Sequence, residues 1–556
     1  MTNRIKTTTV VLLIALFAAN CLCSVGTAGS KAATINVYSG QTIQDAVNAA
    51  KPGDTIIVHE GTYTEQVTVM KPLTLISQGA TLVTPSSWGF NVEAPAVISG
   101  FKIQPIDDDP YHAIGIRFDS FNTGGAAAIN NEISSGFSVA GITVNGPTGI
   151  RIANNVIHSS SSGIDAYTSS GIVMSGNTID ANNFGIWIVY PPGKISDLTI
   201  TGNTIHSTLG DGIFVSPGLG ASGVVISNNK VTTDSTGDYK DGIHVMNTKD
   251  VAITANEILT GDEGHGISAE VSNADIEGNV AHAGENAAGI MVSNSINCRV
   301  VGNEASGTTG IGLMSSTACQ ITSNKATGRS YGLGIGLQTD SDVVVTNNEI
   351  INVEMNENHD TGRGIDLSDC SSVLVSGNKI TVVEWGLSFY RLTNAVISAN
   401  DITTGPKIID GQHYGTYGII FADSSFCTIS NNAIKNAQYS GIYGYGNSPT
   451  GCHDMIVQGN VMTSDPLGST VGIRLQEISK STVSSNSIAG TYHYGVDLDT
   501  GSNTNTISRN TLELTGSNIA GIWLDGSTFS NVVKNNKISG TAMPIQDLGV
   551  SNTIKP

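Results

Sequence analysis

Charge is scarce in this chain: of 556 residues only 13% are Asp, Glu, Lys or Arg, and aromatic side chains make up 6%. The charge present is one-sided, 46 acidic against 26 basic residues for a formal net charge of −20. That makes nucleic acid an unfavourable partner and favours cations, neutral glycans or solubility alone. The seven cysteines contain no C-x-x-C pair, so there is no zinc or thioredoxin signal. Cys298, Cys319 and Cys427 each stand five residues before a recurring Asn, where other repeats carry Leu198, Val224, Val251 or Val343, and read as small core residues. Cys298 and Cys319 fall in neighbouring repeats, within reach of pairing. The apolar run Val10 to Ala19 is too short to span a bilayer, and no second hydrophobic segment follows it, so no transmembrane segment is expected. With Arg4 and Lys6 ahead of it and Gly26-Thr27-Ala28 or Ser30-Lys31-Ala32 after it, that run reads as a secretory signal over residues 1–33. Cys21 raises lipid anchoring as an alternative, with Asn20 in place of the small residue that a lipobox needs.

What the chain has in abundance is a repeat. Gly-Ile or a close variant, then a short apolar stretch, then Asn ahead of an apolar residue, recurs from Asn131 through Asn155, Asn177 and Asn203 to Asn510 and Asn536, at intervals of 21 to 32 residues. Periods in this range signal stacked repeats. Each holds short β-branched runs such as Leu198-Thr199-Ile200 between Gly, Asn and Ser turns, and none has room for a packed helix as well. The predicted fold is all-β, a single-stranded right-handed parallel β-helix, with coils about 4.8 Å apart and loops lengthening outward where the interval stretches. The Ile of Gly-Ile and the residue two later (Ile243 and Val245, Ile365 and Leu367) should face inward. Asn suits a tight turn, because it tolerates the left-handed region and its amide can bond its counterpart in the next coil. The chain divides into the signal, residues 34–75 as N-terminal cap helix and first strands, 76–545 as coils, and 546–556 as a C-terminal tail. The cap is predicted from Ile43, Ala46, Val47 and Ala50, one helical face closed by Pro52-Gly53.

The run Gly40-Gln41-Thr42-Ile43-Gln44-Asp45-Ala46, with Pro52-Gly53-Asp54-Thr55-Ile56, Gly61-Thr62-Tyr63 and Leu73-Thr74-Leu75, resembles the leading segment of secreted proteins of the pectin-lyase-like superfamily. The coils resemble its NosD-like, carbohydrate-binding and sugar-hydrolase branch. The resemblance implies the β-helix fold and an extracytoplasmic location. Activity within that superfamily ranges from lyases, hydrolases and epimerases to binders and inert scaffolds.

A parallel stack turns equivalent positions into columns. The residue just before each Gly-Ile is mostly small or apolar, yet consecutive coils place Asp211, Asp241 and His265 there. Stacked carboxylates cannot all ionise cheaply, so one retains a proton and supplies the acid and base pair that glycoside hydrolysis needs. This order also resembles the polygalacturonase family, which implies that Asp211 and Asp241 activate water or protonate the leaving oxygen while His265 supports them. The chain departs from that family at Leu209-Gly210-Asp211 and Lys240-Asp241, and Met291-Val292-Ser293 stands where the family has a cationic clamp. Three residues upstream a second acidic column, Asp238, Asp262 and Glu285, offers oxygen ligands for Ca²⁺. A third column, His158, Asp180 and His206, reads as a solvated ladder or a surface metal site. The longest loops bring together Asp360, Arg363, Asp366, Trp385, Tyr390, Arg391, His413 and Tyr443, rings and charges of the kind a sugar groove presents. The functional expectation is a secreted or cell-surface protein that binds extracellular polysaccharide, with hydrolysis of that polysaccharide as the further step. The alternative is a non-catalytic structural or adhesive surface protein.

Overall fold

A computed structural model describes residues 32–555 apart from 108–112, 120–122, 147, 160, 190–195, 219, 235–239, 353–361, 406, 410–411, 448–450 and 465–468. The signal segment, Asp238 and Asp360 therefore lie outside the described residues. The architecture is a parallel β-solenoid of about 20 turns. Each coil contributes to three parallel ladders. Sheet 1 carries the Gly-Ile strands, such as Ser162–Tyr167 and Ala288–Ser293. Sheet 2 carries strands such as Leu198–Thr201, and sheet 3, just after each recurring Asn, strands such as Thr204–Ser207. Long strands turn a corner and serve two ladders: Ile243–Thr254 pairs with Ile213–Ser216 in sheet 1 and with Ala221–Ser227 in sheet 2.

The Gly-Ile pair has a packing cause. Ile142, Ile164, Ile186, Ile213, Ile243 and Ile267 are all fully buried and lie in register up sheet 1. Each contributes about 1.5–3 kcal/mol by leaving water. The preceding glycine sits where sheets 1 and 3 nearly touch. A Cβ on Gly163 would lie 2.3 Å from Ile179 Cγ2, and one on Gly185 2.2 Å from Ile205 Cγ2. Only a residue without a side chain lets the two sheets close over the isoleucines.

The recurring asparagines form a continuous buried ladder between sheets 2 and 3. In each step the backbone N–H and the side-chain amide of one Asn both donate to the amide oxygen of the next, as from Asn256 to Asn279 at 3.0 and 2.9 Å. The same amide also donates to a carbonyl of sheet 2 in the preceding coil, Ile226 O for Asn256. The left-handed residue is the one before the ladder Asn, not the Asn itself: Asn154 (φ 55°), Ala255 (φ 53°), Ser323 (φ 57°) and Arg509 (φ 59°). That residue reverses the chain and faces outward, so many side chains are tolerated there. The next must be Asn, because only a primary amide both accepts from the coil before and donates to the coil after in so little space.

At the N-terminal end, helix α1 (Ile43–Ala49) buries Ile43 and Val47 over the first coils. Thr42 accepts from Asp45 N–H, and the Glu65 carboxylate accepts from the N–H groups of Ile43 (2.7 Å) and Gln44 (2.9 Å), filling orphan donors of the first turn. Parallel pairing continues to Thr553–Lys555, which lies in register with Val532–Lys534 inside the segment expected to be a tail. Cys298, Cys319, Cys370, Cys427 and Cys452 are buried free thiols in the core.

Candidate functional site

Inward positions of sheet 1 are filled by the core, so chemistry is confined to its outward positions, the residues just before and just after Gly-Ile. Asp211, Asp241 and His265 stack in consecutive coils, each side chain accepting the backbone N–H of the next. Asp241 N–H donates to Asp211 Oδ1 (2.8 Å), His265 N–H to Asp241 Oδ1 (2.8 Å), and Ala288 N–H to His265 Nδ1 (2.9 Å). His265 thus meets the carboxylates through its backbone, while its ring is held as an acceptor by the following coil. Burial, with the nearby charge of His244, pushes the His265 imidazole below its ordinary pKa.

The second carboxylate oxygens are free of this stitching and converge on a different residue. His244 Nδ1 lies 3.6 Å from Asp211 Oδ2 and 3.4 Å from Asp241 Oδ2. Asp211 is 6% and Asp241 5% exposed, so the cluster is largely shielded from solvent. Burial, reinforced by the charge of Asp211, pushes the Asp241 carboxyl up to about 7. Burial works against the His244 imidazolium, yet the hydrogen bond to Asp211 and the charges of Asp241, Asp211 and Glu270 raise its pKa overall. The Phe214 ring meets the imidazole edge-on at 5.1 Å and, with Phe184 and Trp187, forms an apolar wall on the neighbouring coils. His244 directly follows Ile243 and is close in sequence to both acidic columns, and it holds the place between the two carboxylates that the spacing of Asp211, Asp241 and His265 assigned to His265.

Among the described residues Asp211, Asp241 and His244 form the one group of three side chains spaced to share an ion. Asp262 and Glu285 are exposed on the turns leading into sheet 1, outside that group. On sheet 3, His158, Asp180, His206 and Asp234 alternate as an exposed ladder, with His206 at 2.8 Å from Asp180 and 2.9 Å from Asp234.

Farther along the same outer face, Arg363 pairs with Asp366 at 2.7 Å, and its guanidinium lies 3.9 Å from the centroid of the Trp385 ring. Arg391 pairs with Asp369 at 2.6 Å and stands over Tyr390 at 4.4 Å. Arg363, Asp366, Trp385, Ser388 and Tyr390 line a cleft of 290 Å³, and Tyr443 stacks on Tyr417 three coils beyond Asp366. A shallow trough of 340 Å³, floored by Gly312 and Gly336, lies between this cleft and the aspartate cluster. His413 falls in the strand Gln412–Tyr414 of a small antiparallel hairpin, its side chain outside the described residues.

A family model described as "Right handed beta helix region" matches residues 86–258 and 404–554. One described as "Periplasmic copper-binding protein (NosD)" matches residues 222–405. Similar solved structures include the Dettilon tailspike protein gp208, at 16% identity and a TM-score of 0.37, covering 64% of this chain and 62% of the tailspike. The periplasmic alginate epimerase AlgG is 13% identical with a TM-score of 0.28, over 72% of this chain and 83% of that one. The Azotobacter vinelandii mannuronan C-5 epimerase AlgE4 A-module is 14% identical with a TM-score of 0.26, over 92% and 93%. No curated protein matches the chain. Among the described residues the three-residue group offers two carboxylates and one imidazole and no thiolate or thioether, a hard donor set unlike the soft sulfur ligands that select Cu(I), and the thiols are buried core residues outside it. Among the described residues no helix is long and apolar enough to cross a membrane.

Proposed function

The chain belongs to the right-handed β-helix family, and on that footing we propose that it is a secreted or cell-surface protein that binds extracellular polysaccharide along the outer face of sheet 1 and hydrolyses it at Asp211, Asp241 and His244. The observation that carries the reading is the division of labour within the two aspartates. Their Oδ1 atoms serve the backbone ladder, while their Oδ2 atoms, largely shielded from solvent, face the His244 imidazole. A carboxyl with a pKa of about 7 is half protonated near neutrality and can donate. In the proposed step Asp241 gives its proton to the glycosidic oxygen as the C–O bond breaks. Water adds to the anomeric carbon and loses a proton to Asp211, and His244 holds both carboxylates during the exchange. The cleft at Arg363 and Trp385 binds the chain away from the reacting bond.

One observation favours a second reading, an inert solenoid: the Oδ1 ladder gives the aspartates a structural job whether or not they react. The two readings separate on paired variants. Asp241→Asn keeps the Oδ1 acceptor, so it should leave melting undiminished while turnover on a panel of neutral and acidic polysaccharides falls by about two orders of magnitude or more. Asp241→Ala should lose turnover and melt earlier. Wild-type protein with no turnover on any polymer, or Asp241→Asn with full turnover, would remove the catalytic reading.

A further inference from the structure

Ten coils beyond His244 on the same outer face lies a second concentration of chemistry that the proposed hydrolysis does not use. The column after Gly-Ile runs Tyr443, Arg474, Asp497, Trp523 in successive coils. Asp497 is 4% exposed, and its Oδ1 has no hydrogen-bond partner among the described residues. Arg474 lies across it, with Nε 3.4 Å from Asp497 Oδ2, Nη1 donating to Tyr439 Oη at 3.2 Å and Nη2 donating to Asp499. Rings close both ends: Tyr443 stacks between Tyr417 (5.7 Å) and Tyr445 (5.2 Å), and Tyr494 packs on Trp523 at 5.5 Å. The order along the stack is ring, guanidinium, carboxyl, ring, each about 4.8 Å from the next. That spacing is close to the length of one pyranose unit.

The electrostatics select the ligand. Arg117, Arg363, Arg391 and Arg474 on this face are all ion-paired already, with Asp119, Asp366, Asp369 and the Asp497–Asp499 pair. A polyuronate would bring carboxylates to guanidiniums that are already neutralised, on a protein of net charge −20. An uncharged sugar instead lays its C–H faces on the rings, accepts from Arg474 and donates to the aspartates. Resting on the polysaccharide reading above, we propose that Tyr443, Arg474, Asp497 and Trp523 form a separate binding site for an uncharged pyranose chain, about 48 Å along the stack from His244. Burial keeps the Asp497 carboxyl at about 7, so that near neutrality it can donate as well as accept.

The test is binding of the full chain to soluble β-glucan, galactomannan, xylan, polygalacturonate and alginate by affinity electrophoresis, with melting recorded for every variant. At least one neutral polymer should bind with little dependence on salt. Trp523→Ala and Tyr443→Ala should each weaken it tenfold or more, Trp523→Phe, which keeps a ring, should weaken it less than Trp523→Ala, and Lys230→Ala, on sheet 3, should bind as the wild type does. Binding confined to the two acidic polymers would overturn this inference and leave the polysaccharide reading standing. Neutral binding indifferent to Trp523→Ala and Tyr443→Ala at unchanged melting would also overturn it. Binding to none of the five would remove both readings together.

Discussion

Asp165 illustrates how strongly this scaffold perturbs single groups. It follows Ile164 of Gly-Ile three coils before His244, is 2% exposed, and has one carboxylate oxygen with no partner among the described residues. Burial pushes its carboxyl up to about 7, against the lowering effect of hydrogen bonds from Ser162 and Tyr167. A carboxyl whose folded pKa lies above its unfolded value lends stability that is complete below about pH 4 and disappears as pH rises through 7. Asp241 and Asp497 carry shifts of the same sign. Melting of the wild type should therefore fall between pH 4 and pH 8. Asp165→Asn should flatten that fall and be the more stable protein at pH 8, by as much as about 4 kcal/mol. Identical pH profiles for wild type and variant would show that Asp165 is solvated in the folded protein.

At the scale of elements, the turn between sheets 2 and 3 is the most constrained part of each coil. Asn279, 1% exposed, accepts from the N–H and amide of Asn256 and donates to Ile253 O and to Asn303. Asn279→Ala strands several buried polar groups at once and should cost about 3 kcal/mol or more. Asn536 accepts the same pair of bonds from Asn510 at a half-buried position where water can replace it, and Asn536→Ala should cost about 1 kcal/mol. Denaturant midpoints of the two variants measure the difference, and equal losses would mean that the ladder carries no cooperative burden. The turns flanking sheet 1 obey no such rule, which is why the longest sequence intervals fall there.

On the scale of the molecule, a solenoid is quasi-one-dimensional, each coil touching only its neighbours. Substitutions ten coils apart should therefore not sense one another. Asn203→Ala combined with Asn460→Ala should destabilise by the sum of the single effects to within about 0.5 kcal/mol. A coupling above about 1 kcal/mol would reveal a core stiff over about 48 Å. The same one-dimensional order spreads the functional groups along a face instead of gathering them into a pocket. The cluster at Asp241, the cleft at Arg363 and the patch at Arg474 succeed one another along one sheet.

The periodicity of Gly-Ile and Asn alone determined the β-helix, the inward isoleucines and the stacking of Asp211, Asp241 and His265, because in a parallel stack equal sequence phase is equal position. It also placed helix α1 from the spacing of Ile43, Val47 and Ala50. Three things waited for the tertiary structure. Which oxygen of each aspartate is spent on backbone depends on side-chain rotamers, which leave no trace in residue spacing. The convergence on His244 depends on its side chain, three residues after Asp241, reaching back to the carboxylates of two coils. The left-handed turn falls one residue before the ladder Asn because the interior admits an amide there and the exterior does not, a distinction between two adjacent turn residues that composition cannot make. Periodicity assigns residues to columns, and only packing decides which columns meet.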